Sequence, residues 1–113
     1  MDLETELVDL NIINSRKEID IEFWNTIKDI FLRDAPKTMA LLQQSFIEED
    51  FQALYEFGHK LKGMAANVGA VVLQDIFSQI EIKGKTSELS GVEDLLEQMA
   101  KKYDLTIKIF GEL

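Results

Sequence analysis

The only histidine of the chain lies in the run His59-Lys60-Leu61-Lys62-Gly63. An imidazole is largely neutral near pH 7, so its free ring nitrogen can attack a phosphoryl group without a separate base. Leu54, Phe57, Leu61, Met64 and Val68 follow one another at intervals of 3, 4, 3 and 4 residues, the repeat of one buried helix face. His59 falls two residues from Phe57 and two from Leu61. At about 100° per residue it points roughly 200° away from each. The reactive group is therefore held outward on a helix, with Lys62 and Gly63 one turn later. An outward imidazole beside a cation and a gap suits a group that something large must reach.

Residues three, four and seven apart share a helix face. Around His59 that face holds Tyr55, Glu56, Lys62, Gly63 and Ala66. Gly63 and Ala66 leave a shallow notch beside the ring. A glycine inside a helix costs about 1 kcal/mol relative to alanine. Close packing of another helix, close approach of a partner, or tolerated drift could each account for Gly63. Its place on the histidine face favours approach of a partner. Lys62 reads either as an ordinary solvated helix residue or as a cation for a phosphorylated His59. A phosphoryl group carries up to about two negative charges near neutral pH. An exposed ion pair contributes at most about 1 kcal/mol, so Lys62 would tune such a site rather than create it.

The elements that must position this face belong to one small all-α domain. The chain has 113 residues, 46% of them hydrophobic, with seven Phe, two Tyr and Trp24 to fill a core. Its net charge is −9, from 12 Lys and Arg against 21 Asp and Glu. That balance argues against sequence-independent nucleic-acid binding, which needs a cationic surface to displace counterions, and against docking on anionic lipid. Between Phe57 and Val72 the only charged residues are Lys60 and Lys62, a small cationic island on an acidic chain, although short windows also vary by chance. No apolar run approaches the roughly 20 residues that span a bilayer. The acidic start Met1-Asp2-Leu3-Glu4 is no secretory leader, so a cytoplasmic domain is expected. With no cysteine, disulfides and thiolate metal sites are excluded.

Helix signals recur along the chain. Leu3, Leu7 and Leu10 at loose helical spacing suggest a short helix or arm over residues 1–19, lying on a bundle formed by residues 20–113. Asp20 can cap a helix running to Asp34, with Phe23 or Trp24, Ile27, Ile30 and Phe31 inward. Pro36 should end that helix or start the next, which would bury Met39, Leu42 and Phe46 and run to about Ile47. After the acidic junction Glu48-Glu49-Asp50, with Asp50 as cap, the helix carrying His59 runs from Phe51 to Val68. Gly69 is placed to end it in the left-handed region. The next helix runs from Ala70 to about Lys83, with Leu73, Ile76, Phe77 and Ile80 inward. So short a connection makes the two antiparallel neighbours. Gly84 to Gly91 reads as a polar loop. Ser90 with Glu93 resembles a capping box for a last helix that buries Val92, Leu95, Leu96, Met99, Tyr103, Ile107 and Phe110. The expected fold is an antiparallel four-helix bundle with one or two short additional N-terminal helices.

The stretch from Phe31 to Glu81 resembles the histidine phosphotransfer (HPt) domains of multistep two-component phosphorelays. The residues that carry the likeness are Phe31-Leu32-Arg33-Asp34-Ala35-Pro36, His59-Lys60-Leu61-Lys62-Gly63, Ala65-Ala66-Asn67-Val68-Gly69-Ala70, Leu73 and Ile80-Glu81. The likeness covers roughly residues 20 to 112. It implies that His59 accepts a phosphoryl group from a receiver-domain aspartate and passes it to another. Lys62 would stabilise the phosphoryl oxygens. Gly63 would keep space for the receiver, with Tyr55, Lys60 and Ala66 around it as contact residues. Glu81 would bond the imidazole nitrogen that is not phosphorylated. Met64 departs from the small residue common after the glycine. No cofactor is expected on this chain; the Mg²⁺ would sit on the partner receiver. The partners would be response-regulator receiver domains and a hybrid sensor histidine kinase, and the domain itself a monomer. Consistent with a relay rather than a kinase or ATPase, the chain has no glycine-rich phosphate loop and no nucleotide motif. A hydrolase using His59 with Glu81 has no cleft signal behind it, and a metal site built on one histidine lacks ligands. The remaining alternative is a non-catalytic adaptor that binds a regulator or kinase through the same face without being phosphorylated.

Overall fold

The computed structural model describes residues 7–113, which form five helices. In chain order they are α1 (Leu10–Ile19), α2 (Ile21–Ile47), α3 (Phe51–Asn67), α4 (Val71–Lys85) and α5 (Val92–Glu112). The long helices α2 to α5 make the antiparallel four-helix bundle, and α1 is the short additional helix. Capping residues start most of them. The Asp9, Asp20 and Asp50 carboxylates accept from backbone N–H groups in the first turns of α1, α2 and α3, satisfying donors that have no partner within the helix. Leu7, Val8 and Ile13 are buried in the same core as the bundle residues. The Asp9 N–H donates to the Gly69 carbonyl at 2.9 Å, so the start of α1 is tied to the α3–α4 turn. Leu3 lies outside the described residues.

Pro36 does not divide the second helix. α2 runs unbroken through it for 27 residues. An interior proline has no N–H for the carbonyl four residues back, which here is that of Leu32. The Tyr103 hydroxyl of α5 donates to the Leu32 carbonyl instead, at 3.4 Å. Burial, and then the neighbouring Asp104 carboxylate, push the Tyr103 phenol up, so it keeps the proton it donates. The same region holds an aromatic cluster. Phe31 packs against Tyr103 with ring centroids 5.7 Å apart and against Phe110 at 6.0 Å, and Trp24 meets Phe110 edge-on at 6.0 Å. Tilted and edge-to-face contacts of this kind favour aromatic pairs and join α2 to α5. Of the two candidates Phe23 and Trp24, Trp24 is inside, while Phe23 and Ile30 are exposed.

The buried face of α3 is Leu54, Gly58, Leu61 and Ala65. Phe57 and Met64, expected in the stripe, lie at its margin, only partly buried. The stripe is turned because the Glu81 backbone of α4 packs against Gly58, where a large side chain has no room. α3 ends as its sequence suggests. Gly69 has φ +71°, its N–H donates to the Ala66 carbonyl at 3.2 Å, and the Ala70 N–H donates to Ala65 at 2.9 Å. These are the paired bonds of a Schellman turn.

Two expectations near the α4–α5 connection fail. Gly84, read as the start of a loop, is a buried residue of α4. Ser90 does not cap α5: its hydroxyl donates to the Glu88 carboxylate at 2.7 Å, and Gly91, at φ +82°, takes the position before the helix with no side-chain cap. In α5, Ile109 is buried, whereas the expected Ile107 is only partly so.

Candidate functional site

His59 stands near the middle of α3 with 64% of its side chain exposed, pointing away from Leu54 and Leu61 as the helical spacing requires. Across the α3–α4 groove, Glu81 comes from the C-terminal half of α4. Its Oε2 lies 3.3 Å from His59 Nδ1. Lys62, one turn beyond the histidine, places its Nζ 2.9 Å from the same Oε2 and 3.2 Å from Oε1. One carboxylate therefore links the imidazole and the ammonium. The Tyr55 ring lies nearly parallel to the imidazole on the other side, with planes 18° apart and centroids at 6.3 Å.

Partial burial pushes Glu81 up, but the Lys62 ammonium and then the His59 imidazole outweigh it and hold the carboxyl below the usual carboxylate range. Glu81 is thus ionised near neutral pH and can only accept hydrogen bonds. A neutral imidazole carries one N–H, and facing a pure acceptor that hydrogen belongs on Nδ1. Nε2 then bears the lone pair, on the exposed side of the ring.

The sequence-derived residues do not all converge. His59, Lys62, Glu81 and Tyr55 form one contact group. Gly63 is exposed beside them, and a Cβ built there would meet nothing within 4 Å. That removes helix packing as the reason for this glycine. Ala66 is half-buried a turn further on. Lys60 is exposed and turned toward α2. There Asp34 is held low by its hydrogen bond from Arg33, against partial desolvation, and further by the charges of Arg33, Lys37 and Lys60. Lys60 therefore lies beside the contact group rather than in it. Gly58, which the helical spacing does not single out, is buried under the site against Glu81. Its signal in the sequence is a second glycine inside a helix, immediately before the histidine.

The model of the Hpt domain matches residues 26–106, more than two thirds of the 113-residue chain. This chain belongs to the Hpt domain family. Its function is histidine phosphotransfer within phosphorelays, in which Hpt domains interact with kinase and receiver partners. Among solved structures, the Hpt chain is similar to histidine-containing phosphotransfer protein B (HptB) from Pseudomonas aeruginosa PAO1. The two are 26% identical with a TM-score of 0.87, over 93% of this chain and 91% of that one. It is also similar in fold to the histidine-containing phosphotransfer domain of ArcB from Escherichia coli, at 20% identity and a TM-score of 0.87, over 98% of this chain and 95% of that one. No curated protein sequence matches it significantly. Among the described residues, no helix of this Hpt domain is long and apolar enough to cross a membrane.

Proposed function

We propose that His59 is the phosphoacceptor of this Hpt domain and that Nε2 is the reacting atom. The observation that carries the reading is the Glu81 carboxylate at Nδ1, 3.3 Å away on an otherwise exposed ring. It fixes the tautomer in which the outer nitrogen is the nucleophile. In the forward step the Nε2 lone pair attacks the phosphorus of a receiver's aspartyl phosphate. The N–P bond forms as the P–O bond to the aspartyl carboxylate breaks, and the carboxylate leaves with the bonding electrons. The ring keeps its Nδ1 hydrogen and becomes cationic, a charge that the adjacent Glu81 carboxylate stabilises. Transfer to a second receiver aspartate is the reverse.

Phosphoryl transfer passes through a loose transition state, so catalysis consists mostly of positioning and charge neutralisation. Glu81 orients the ring. Lys62, bound to Glu81 in the resting domain, is the nearest cation able to turn toward the phosphoryl oxygens. The open surface at Gly63 admits the receiver, with Tyr55, Lys60 and Ala66 bordering the approach. Mg²⁺ and the aspartate belong to the receiver, and the first phosphoryl donor is the receiver of a hybrid sensor histidine kinase.

The test is to mix the domain with a phosphorylated receiver and Mg²⁺ and to map the phosphate. The expected product is acid-labile, base-stable phosphate on His59. A domain that binds the receiver yet takes up no phosphate would be an adaptor, and the reading would fall.

A further inference from the structure

Two glycines the relay chemistry does not use lie where α3 and α4 come closest. A Cβ on Gly58 would sit 3.0 Å from the Glu81 nitrogen, 3.1 Å from its Cα and 3.3 Å from its Cβ. A Cβ on Gly84 would press on the Tyr55 backbone and lie 2.8 Å from the Phe51 carbonyl oxygen. The pairs are thus Gly58 with Glu81 and Tyr55 with Gly84, each helix advancing three residues between them in opposite directions. His59 follows Gly58 directly, and Lys62 stands four residues after it. Both side chains leave α3 within the turn that follows the point where the Glu81 backbone touches it.

The geometry points to Gly58 as a positioning residue for phosphotransfer: by carrying no side chain it lets the Glu81 backbone approach α3 closely enough for its carboxylate to reach His59 Nδ1. This rests on His59 being the phosphoacceptor. Carbon atoms in contact settle at about 3.5–4.0 Å. A methyl at position 58 would therefore push the Glu81 backbone outward by a few tenths of an ångström. The His59–Glu81 contact has no slack to absorb that. At 3.3 Å it is already slightly longer than the usual N–H···O distances, which run to about 3.2 Å. The ion pair of Glu81 with Lys62, at 2.9 Å, has a long flexible arm and can follow. Moving α4 outward should therefore release the imidazole and leave the lysine pair in place. Once released, the ring is free to exchange tautomers, and part of the population carries its hydrogen on Nε2, where it cannot attack.

The experiment is a double-mutant cycle of Gly58→Ala and Glu81→Ala, read in two ways. Nitrogen-15 chemical shifts of the His59 ring give the balance of its neutral tautomers. Phosphate uptake from a phosphorylated receiver gives the rate, and melting curves control for folding. Gly58→Ala is expected to shift the balance toward hydrogen on Nε2 and to slow uptake roughly three- to tenfold, the scale of one ordinary hydrogen bond weakened or lost. Both effects should vanish when Glu81 is already alanine, because no carboxylate remains to be displaced. A merely structural glycine would cost the same factor in either background and leave the tautomers unchanged, and that outcome overturns the proposal. Should Gly58→Ala not fold, Glu81→Asp makes the same test, since it draws the carboxylate back by one methylene without touching the helix crossing. Unchanged tautomers and rate in Glu81→Asp would equally overturn it. The ring shifts need no phosphate, so a failure of His59 as acceptor shows itself separately, as wild-type domain that takes up none.

Discussion

Gly58 and Gly63 lie five residues apart on the same helix and have opposite surroundings. A Cβ at Gly58 would press on the backbone of α4, whereas one at Gly63 would meet nothing within 4 Å. The first glycine removes bulk so that two helices of the domain can close. The second removes bulk from a surface that is already open. Between them stand His59 and Lys62, both in contact with the Glu81 carboxylate. The closed side of α3 thus sets the orientation of the imidazole, and the open side sets who can reach it. Both roles cost helix stability, about 1 kcal/mol for each mid-helix glycine relative to alanine. Only on the closed side does the domain's own packing return that cost.

Removing the group that both sides serve has the greatest consequence. His59→Gln is expected to abolish phosphate uptake while the far-ultraviolet circular dichroism stays that of the wild type, because the ring is 64% exposed and supports no core contact. Phosphorylation retained in this variant would leave both sides of α3 without a function to share.

Next in size are substitutions at the glycines. Gly63→Gln should lose phosphotransfer by bulk in the receiver's path. Its melting temperature should be unchanged or higher, since glutamine is a better helix former by somewhat under 1 kcal/mol. Gly84→Ala should do the reverse. Overpacking costs about 1–3 kcal/mol; here the atoms met are backbone, which sets the cost at the upper end, and a gain of about 1 kcal/mol in helix propensity offsets only part of it. A fall in melting temperature of roughly 4 °C or more follows, and a part of the transfer activity should remain at temperatures where the domain is folded. A large fall for Gly63→Gln, or none for Gly84→Ala, would erase the distinction between the open and closed sides.

This distinction also marks how far the sequence could be read. Spacing alone located α3, turned His59 outward and ended the helix at Gly69, because period and left-handed glycine are local signals. The resemblance added Glu81, and the structure brings it to Nδ1. What spacing could not supply depends on partners distant in the chain. Pro36 reads as a helix break until Tyr103, 71 residues on, donates to the carbonyl that the proline leaves without a backbone partner. Gly58 and Gly84 read as weak helix positions until each is seen against the backbone of the other helix. Phe57 reads as core until Gly58 takes the buried place beside it. Ser90 shows a local signal overruled locally, its hydroxyl being bound to Glu88 two residues back.

Lys62→Ala probes the boundary between the two sides. The Lys62 side chain is about one-third exposed, and ion pairs in such settings contribute about 1 kcal/mol or less. Phosphotransfer should slow by about fivefold or less and persist. Measured uptake as poor as that of His59→Gln would mean that the cation is part of the reacting centre. Uptake equal to wild type would remove it from the chemistry altogether.

The smallest effect is the acid sensitivity of the closed side. Glu81 is partly buried, which raises its pKa, but Lys62 and then His59 lower it further, so in the folded domain it lies below the ordinary value. A carboxyl whose folded pKa is depressed contributes stability that is fully present above its unfolded pKa, near 4.3 for glutamate. That stability is lost as pH falls through the folded value, because the unfolded chain then binds the proton more readily. Asp34 and Glu88 are also held low, so the wild-type acid profile alone does not isolate Glu81. The difference between wild type and Glu81→Gln does. It should be present at about pH 5 and above and should shrink below about pH 4, staying under about 1 kcal/mol for so wet an ion pair. Denaturant midpoints at several pH values measure it. A difference that persists unchanged to pH 2 would mean that Glu81 acts through its shape in the α3–α4 groove and not through its charge, and the link between His59 and Lys62 would then be steric.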